Sequence, residues 1–168
     1  MALDTLQDLF LQEMNTIYDA EKRIAELLPG LADAASSSDL RRAFEEESEI
    51  TRLQIQRLEE IYKRIGAQAR NRESQGVIGL IREVRAIMQT PGDPAVKDAA
   101  LIAITQRIEH YEVTCYASLR QYAHDLGYED IIQMFDKTAS EERDRDKSLA
   151  EIAEDGLFSG DYNNDGSS

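Results

Sequence analysis

Residues 101–126, LIAITQRIEHYEVTCYASLRQYAHDL, carry the decisive pattern. Alternating steps of three and four pick out Ile102, Thr105, Glu109, Glu112, Tyr116, Leu119, Ala123 and Leu126. That row is the buried stripe of an amphipathic helix. Two glutamates nevertheless occupy consecutive positions in its middle. An ionised carboxylate in a dry interior is costly unless it is paired or metal-bound.

The same anomaly recurs on either side of this helix. One stripe reads Leu40, Phe44, Glu47, Thr51, Gln54, Leu58, Ile61, Ile65, and another reads Ile131, Phe135, Thr138, Glu142, Arg145, Leu149, Ile152. The N-terminal stripe reads Phe10, Met14, Ile17, Glu21, Ile24, Leu28. Each of four long helices thus brings at least one glutamate to its core face, near its middle.

Turn signals divide the chain accordingly. Pro29-Gly30 either kinks the first helix or ends it. Ser36-Ser37-Ser38-Asp39 offers N-caps for the second helix, and Gly66 a C-terminal cap. Residues 67–75 form a polar loop, and Gly76 to about Gln89 a short helix. Asp93-Pro94 starts the third long helix, which stops at Gly127. The fourth runs from near Glu129 to about Gly156. Short turns join the members of each pair, whereas residues 67–94 separate the pairs. That spacing predicts an all-α, ferritin-like four-helix bundle with one long crossover and a short fifth helix. One domain is expected over residues 1–156, with a disordered polar tail at 157–168.

The glutamates also match in height. The midpoint of Glu21 and Glu47 falls in the first turn, and the midpoint of Glu109/Glu112 and Glu142 falls beside Gly127. Each carboxylate therefore lies roughly 20 Å from its own turn, at about 1.5 Å per residue. Five carboxylates on one level suit a pair of hard or borderline divalent cations, iron or manganese, because such ions accept oxygen ligands. Glu21, Glu47, Glu109, Glu112 and Glu142 are the candidate ligands, with Asp146, one turn beyond Glu142, as a sixth or as a solvated charge. The Glu-x-x-His pairs common in di-metal bundles are absent: Ile50 and Arg145 stand three residues after Glu47 and Glu142. His110, Tyr116 and Arg145 are candidates for supporting contacts to the ligands. His124 reads as a surface residue, Cys115 as a small core filler, and Glu45, Glu46 and Glu49 as a solvated face.

Composition narrows the function classes. Thirty-three acidic residues face 19 basic ones, a formal charge of −14. Such a surface repels nucleic acids and anionic membranes, so neither is an expected partner. One cysteine can form no internal disulfide. The opening MALDTLQDLFLQEM has no basic segment and interrupts its apolar residues with acids, so no signal peptide is expected. No apolar run approaches a membrane span. A cytoplasmic setting follows as the expectation.

Three segments, DLFLQEMNTIYDAEKRIAELLPGLADAA, LRRAFEEESEITRLQIQRLE and DPAVKDAALIAITQRIEHYEVTCYASL, resemble the YciE/YciF-type ferritin-like stress proteins. The likeness spans about residues 3–153, and its most specific parts are Glu109-His110-Tyr111-Glu112 and Glu141-Glu142. It implies a rubrerythrin-like bundle with a short extra helix, dimeric, with a di-iron site. The pattern resembled carries His where this chain has Glu47, which makes the present ligand set all-oxygen. The expected activity is oxidation of Fe(II), or reduction of O2 or peroxide, at two irons, with manganese as the other metal. The contrasting expectation is a non-enzymatic acidic helical dimer with a structural or partner-binding role in stress. Nothing in the sequence specifies an iron-storage cage.

Overall fold

The apolar stripes produce five helices in the computed structural model, which describes residues 3–154. They are α1 (Leu6–Ala34), α2 (Ser38–Arg64), α3 (Gln75–Gln89), α4 (Pro94–Asp125) and α5 (Glu129–Glu154). No strand occurs among the described residues, as the all-α expectation requires. The expected tail at 157–168 and the helix end near Gly156 lie outside the described residues.

Local chemistry sets the helix ends. Thr5 and Asp8 form a reciprocal capping box at the start of α1. Ser37 caps α2, and Asp93 caps α4 with Pro94 in the first turn. Both tight turns at the far end of the bundle are closed by glycine. Gly66 and Gly127 adopt φ of 66° and 74°. Ala67 N then donates to Tyr62 O and Tyr128 N to Ala123 O, the paired bonds of a left-handed helix stop. Pro29 neither ends α1 nor restarts it. Leu27, Leu28, Leu31 and Ala32 are buried around it, so packing outweighs the one N–H that proline cannot donate.

The hairpins α1–α2 and α4–α5 pack with α1 against α4 and α2 against α5, while α3 lies on α1 and α4. The direction of the crossover follows from hydrogen bonds. Asp98, in the first turns of α4, accepts from Ser36 N at 2.9 Å, Ser36 Oγ at 2.6 Å and Ser37 N at 2.7 Å. The start of α4 therefore sits beside the α1–α2 turn, and α4 runs parallel to α2. Residues 65–93 must return the length of the bundle. In doing so α3 starts where Ser74 N donates to Asp19 at 2.8 Å and ends near Gly30. At its start, Tyr111 lies so close to Gly76 that an added Cβ would stand 2.9 Å from the ring.

Asp98 has no exposure and ties three donors to one carboxylate. Asp98→Ala is expected to cost about 1–3 kcal/mol, because it strands polar groups at the turn. Thermal melts should show a Tm lower by roughly 5 °C, with Asp98→Asn in between. An unchanged Tm would mean that water replaces the carboxylate without loss.

Candidate metal centre

Apolar layers close the bundle above and below a polar middle. Phe10, Met14, Leu58, Leu119 and Phe135 lie toward one end, and Leu31, Leu40, Phe44 and Leu101 toward the other. Between them stand Glu21 of α1, Glu47 of α2, Glu109 and Glu112 of α4, and Glu142 of α5. None is more than 2% exposed. The helical repeat sends these side chains inward for the same reason it sends in their leucine neighbours.

Two groupings share Glu142. In the first, one carboxylate oxygen each from Glu21, Glu112 and Glu142 lies within 4.8 Å of the other two. In the second, Arg145 Nη2 reaches Glu142 Oε2 at 2.6 Å, Glu47 Oε1 at 3.3 Å and Glu109 Oε2 at 3.4 Å. Glu21 Oε2, Glu112 Oε2 and Glu109 Oε1 are buried with no hydrogen-bond partner. So are Arg145 Nε and Nη1. Buried polar atoms are normally satisfied, so the unmatched carboxylate oxygens make this cluster one that could hold a metal ion.

Surrounding groups hold the carboxylates in position. The Tyr116 hydroxyl donates to Glu21 Oε1. Gln54 Nε2 donates to Glu142 Oε1 at 2.5 Å and to Glu141 Oε2 at 3.2 Å. Glu141 is clasped by Arg57 through both Nη atoms, at 2.8 and 3.0 Å, and Arg57 Nη1 also donates to Thr138 at 2.5 Å. Although burial pushes the Glu141 carboxyl up, Arg57 and Gln54 outweigh it and hold the group below its ordinary value. A fixed carboxylate thus braces Gln54, and Gln54 in turn aims Glu142.

The inner glutamates behave in the opposite way. Burial, reinforced by the Glu142 charge, raises Glu21 to about 8. Burial raises Glu47, with Arg145 opposing. Burial drives Glu109 and Glu112 well above the ordinary range; the next cause is the Glu47 charge for Glu109 and the Glu142 charge for Glu112. Burial alone would lower Arg145, but the surrounding glutamates raise it, so it stays a cation. Without added cations, burial therefore favours the protonated form of Glu21, Glu47, Glu109 and Glu112.

The structure brings five candidate glutamates, Tyr116 and Arg145 to one place, and sets the other two candidates apart. Asp146 accepts from Gln106 Nε2 at 3.0 Å and pairs with His110 Nε2 at 3.0 Å. Its side chain is 28% exposed and that of His110 69%. Neither belongs to the Glu21–Glu112–Glu142 triple. Gln54 and Arg57 are supporting residues that sequence reasoning did not single out. Gln54 was visible in the same stripe as Glu47, but Arg57 lies off that row and carries no signal of its own.

A family model for a domain of unknown function, DUF892, matches residues 5–159. The chain belongs to this family. Among its relatives, the Escherichia coli (strain K12) protein YciF is 32% identical over 154 residues, 91% of this chain and 93% of that one. The solved structure of the E. coli stress protein YciF superposes with a TM-score of 0.90 at 31% identity, covering 92% of this chain and 98% of that chain. YcfI from Rhodopseudomonas palustris, described as a candidate structural protein, gives 0.85 at 32% identity, with 89% and 97% covered. A protein from Xanthomonas campestris pv. campestris gives 0.66 at 15% identity, covering 89% and 91%, and shares the fold alone. The DUF892 match and the YciF likeness bear out the expected family and its all-α bundle. No described helix is long and apolar enough to cross a membrane.

Proposed function

We propose that this DUF892 protein is a stress-type metal-carboxylate protein of the cytoplasm. In this reading it holds a redox-active divalent metal, iron first and manganese second, in the bundle core and uses it to oxidise Fe(II) or to reduce O2 or peroxide. The observation that carries the reading is the Glu21–Glu112–Glu142 triple with its unmatched oxygens. The donor set fits a hard or borderline divalent ion: it is all carboxylate, fully buried, and nearly close enough for one coordination shell. Bound iron would supply the electron transfer to the oxidant.

The chain's own residues perform the remaining tasks. Glu21, Glu112 and Glu142 bind. Tyr116 orients Glu21, and Gln54, braced by Glu141 and Arg57, orients Glu142. Phe10, Phe44 and Phe135 exclude water. Glu109, buried beside the centre with its carboxyl raised well above the ordinary range by burial, is the residue placed to deliver the proton that oxidant reduction consumes. Access also supports a small oxidant. A cavity of about 50 Å³ bordered by Glu47, Arg145, Ile50 and Leu149 opens on the centre, far below the roughly 300 Å³ of an organic-ligand pocket. Three larger clefts among the described residues, beside Arg23 and Ile81, Tyr18 and Arg72, and Leu11 and Gln68, contain none of the five glutamates. A homodimer is part of the proposal on the strength of the likeness, and light scattering tests it.

Anaerobic Fe(II) titration of protein purified without iron tests the metal reading. Saturable binding is expected, with affinity at least roughly tenfold weaker in Glu112→Gln and Glu21→Gln, and O2-driven oxidation faster in the parent than in either variant. Equal binding in parent and variants overturns the reading.

The Arg145 contacts favour a second reading, in which the glutamates are matched by arginine and protons and the protein is structural. The description of the R. palustris relative points the same way. Coincident melting curves with chelator and with metal would support this reading; a metal-dependent rise in Tm would oppose it.

A further inference from the structure

Five glutamates and the likeness imply two ions, yet only one half of the centre is open to an ion. We infer that the Arg145 guanidinium occupies the second cation position, so that the centre takes a single metal ion, at Glu21, Glu112 and Glu142. This rests on the metal reading above and changes its stoichiometry.

Arg145 follows Glu142 by three residues, so both project from the same face of α5. Only 8% exposed, Arg145 directs Nη2 into the space enclosed by Glu47, Glu109 and Glu142. Glu142 divides its oxygens: Oε2 goes to Arg145, while Oε1 is held by Gln54. A second ion bound to Glu47 and Glu109 would have to share these carboxylates with a guanidinium nitrogen 3.3–3.4 Å away. Two cations held by the same carboxylates repel strongly in a dry interior. Glu47 and Arg145 also border the same small cavity, so an incoming ion meets the arginine before it meets the glutamates of the open half. Arg145 thereby acts as a permanent, non-redox counter-ion and as the plug of the entry.

Counting metal tests this directly. Chelator-stripped full-length protein is dialysed anaerobically against Mn(II) or Fe(II), and bound metal is measured by elemental analysis for the parent, Arg145→Ala and Arg145→Lys. One equivalent is expected in the parent and in Arg145→Lys, and a doubling to two in Arg145→Ala. The Mn(II) spin-resonance spectrum should change from that of an isolated ion in the parent to that of an exchange-coupled pair in Arg145→Ala. Two equivalents in the parent overturn the inference and leave the metal reading standing. None in the parent overturns both. One equivalent in both the parent and a folded Arg145→Ala also overturns the inference. If Arg145→Ala does not fold, the parent count decides alone.

Discussion

Arg145→Ala is expected to remove about 3–5 kcal/mol from the stability of the metal-free protein, because it deletes one partner of a buried ion cluster. The corresponding fall in Tm is on the order of 10 °C for a chain of this length. The size follows from what is left behind. Glu47, Glu109 and Glu142 are at most 2% exposed, and Arg145 is the only cation that touches them among the described residues. Its removal forces them either to take up protons or to remain charged side by side in a low-dielectric interior. Urea or thermal melts with chelator present measure the loss. Arg145→Lys keeps the charge but not the planar fork, and should fall between the two. Adding Glu47→Gln to Arg145→Ala should recover part of the loss, since it removes a charge that the arginine had offset. A loss below about 1 kcal/mol would mean that these glutamates are neutral without Arg145, and the ion-cluster description would fail.

Raising the pH from 5 to 8 is expected to destabilise the metal-free protein and to stabilise the metal-loaded one. For the metal-free protein, the folded state raises Glu21 to about 8 and raises Glu47, Glu109 and Glu112, all chiefly through burial. A carboxyl raised on folding binds its proton more tightly in the folded than in the unfolded chain. Its contribution is therefore fully present below the unfolded value and is lost as pH climbs through the folded one. For Glu21 that window runs from 4.5 to about 8, and its loss is on the order of 5 kcal/mol at about 1.4 kcal/mol per pH decade. Asp19, Asp125 and Glu141, held below their ordinary values, act in the opposite direction, but only at more acid pH. A divalent ion binds the deprotonated form, so with saturating Mn(II) the trend reverses sign. Tm measured at pH 5, 6.5 and 8, with chelator and with Mn(II), gives both slopes. A flat or rising Tm in the metal-free series would show that these carboxyls are ionised in the fold without help.

Most of the architecture follows from spacing. The three-four rows that end in leucine, isoleucine and phenylalanine can be satisfied only by burying one face of each helix. Gly66, Gly127, Ser37 and Asp93 mark ends that the backbone could not make as cheaply with other residues. The glutamates were equally legible, since a helix turns in whole its leucines and whatever shares their stripe. Pro29 was not. Its effect depends on whether flanking packing outweighs one lost hydrogen bond, and the burial of Leu28 and Leu31 is a property of the assembled bundle. Asp98, four residues before Ile102 on the same stripe, could have been found by extending the row. Its partners, Ser36 and Ser37, become neighbours only once the crossover has returned α4 to the first turn.

The chain by itself therefore determined that four long amphipathic helices would form and that their core faces would bring acids together at one height, because both follow from a repeat of 3.6 residues per turn. Only the tertiary structure decided how those acids divide their charge. Arg145 was compatible with the edge of the centre or with solvent as long as α5 stood alone. The packing of α2 and α4 against α5 encloses it with Glu47 and Glu109, and a long flexible cation goes where the surrounding negative potential is deepest. The same packing sends Asp146, its immediate neighbour, to the surface with His110, since adjacent residues on a helix point about 100° apart.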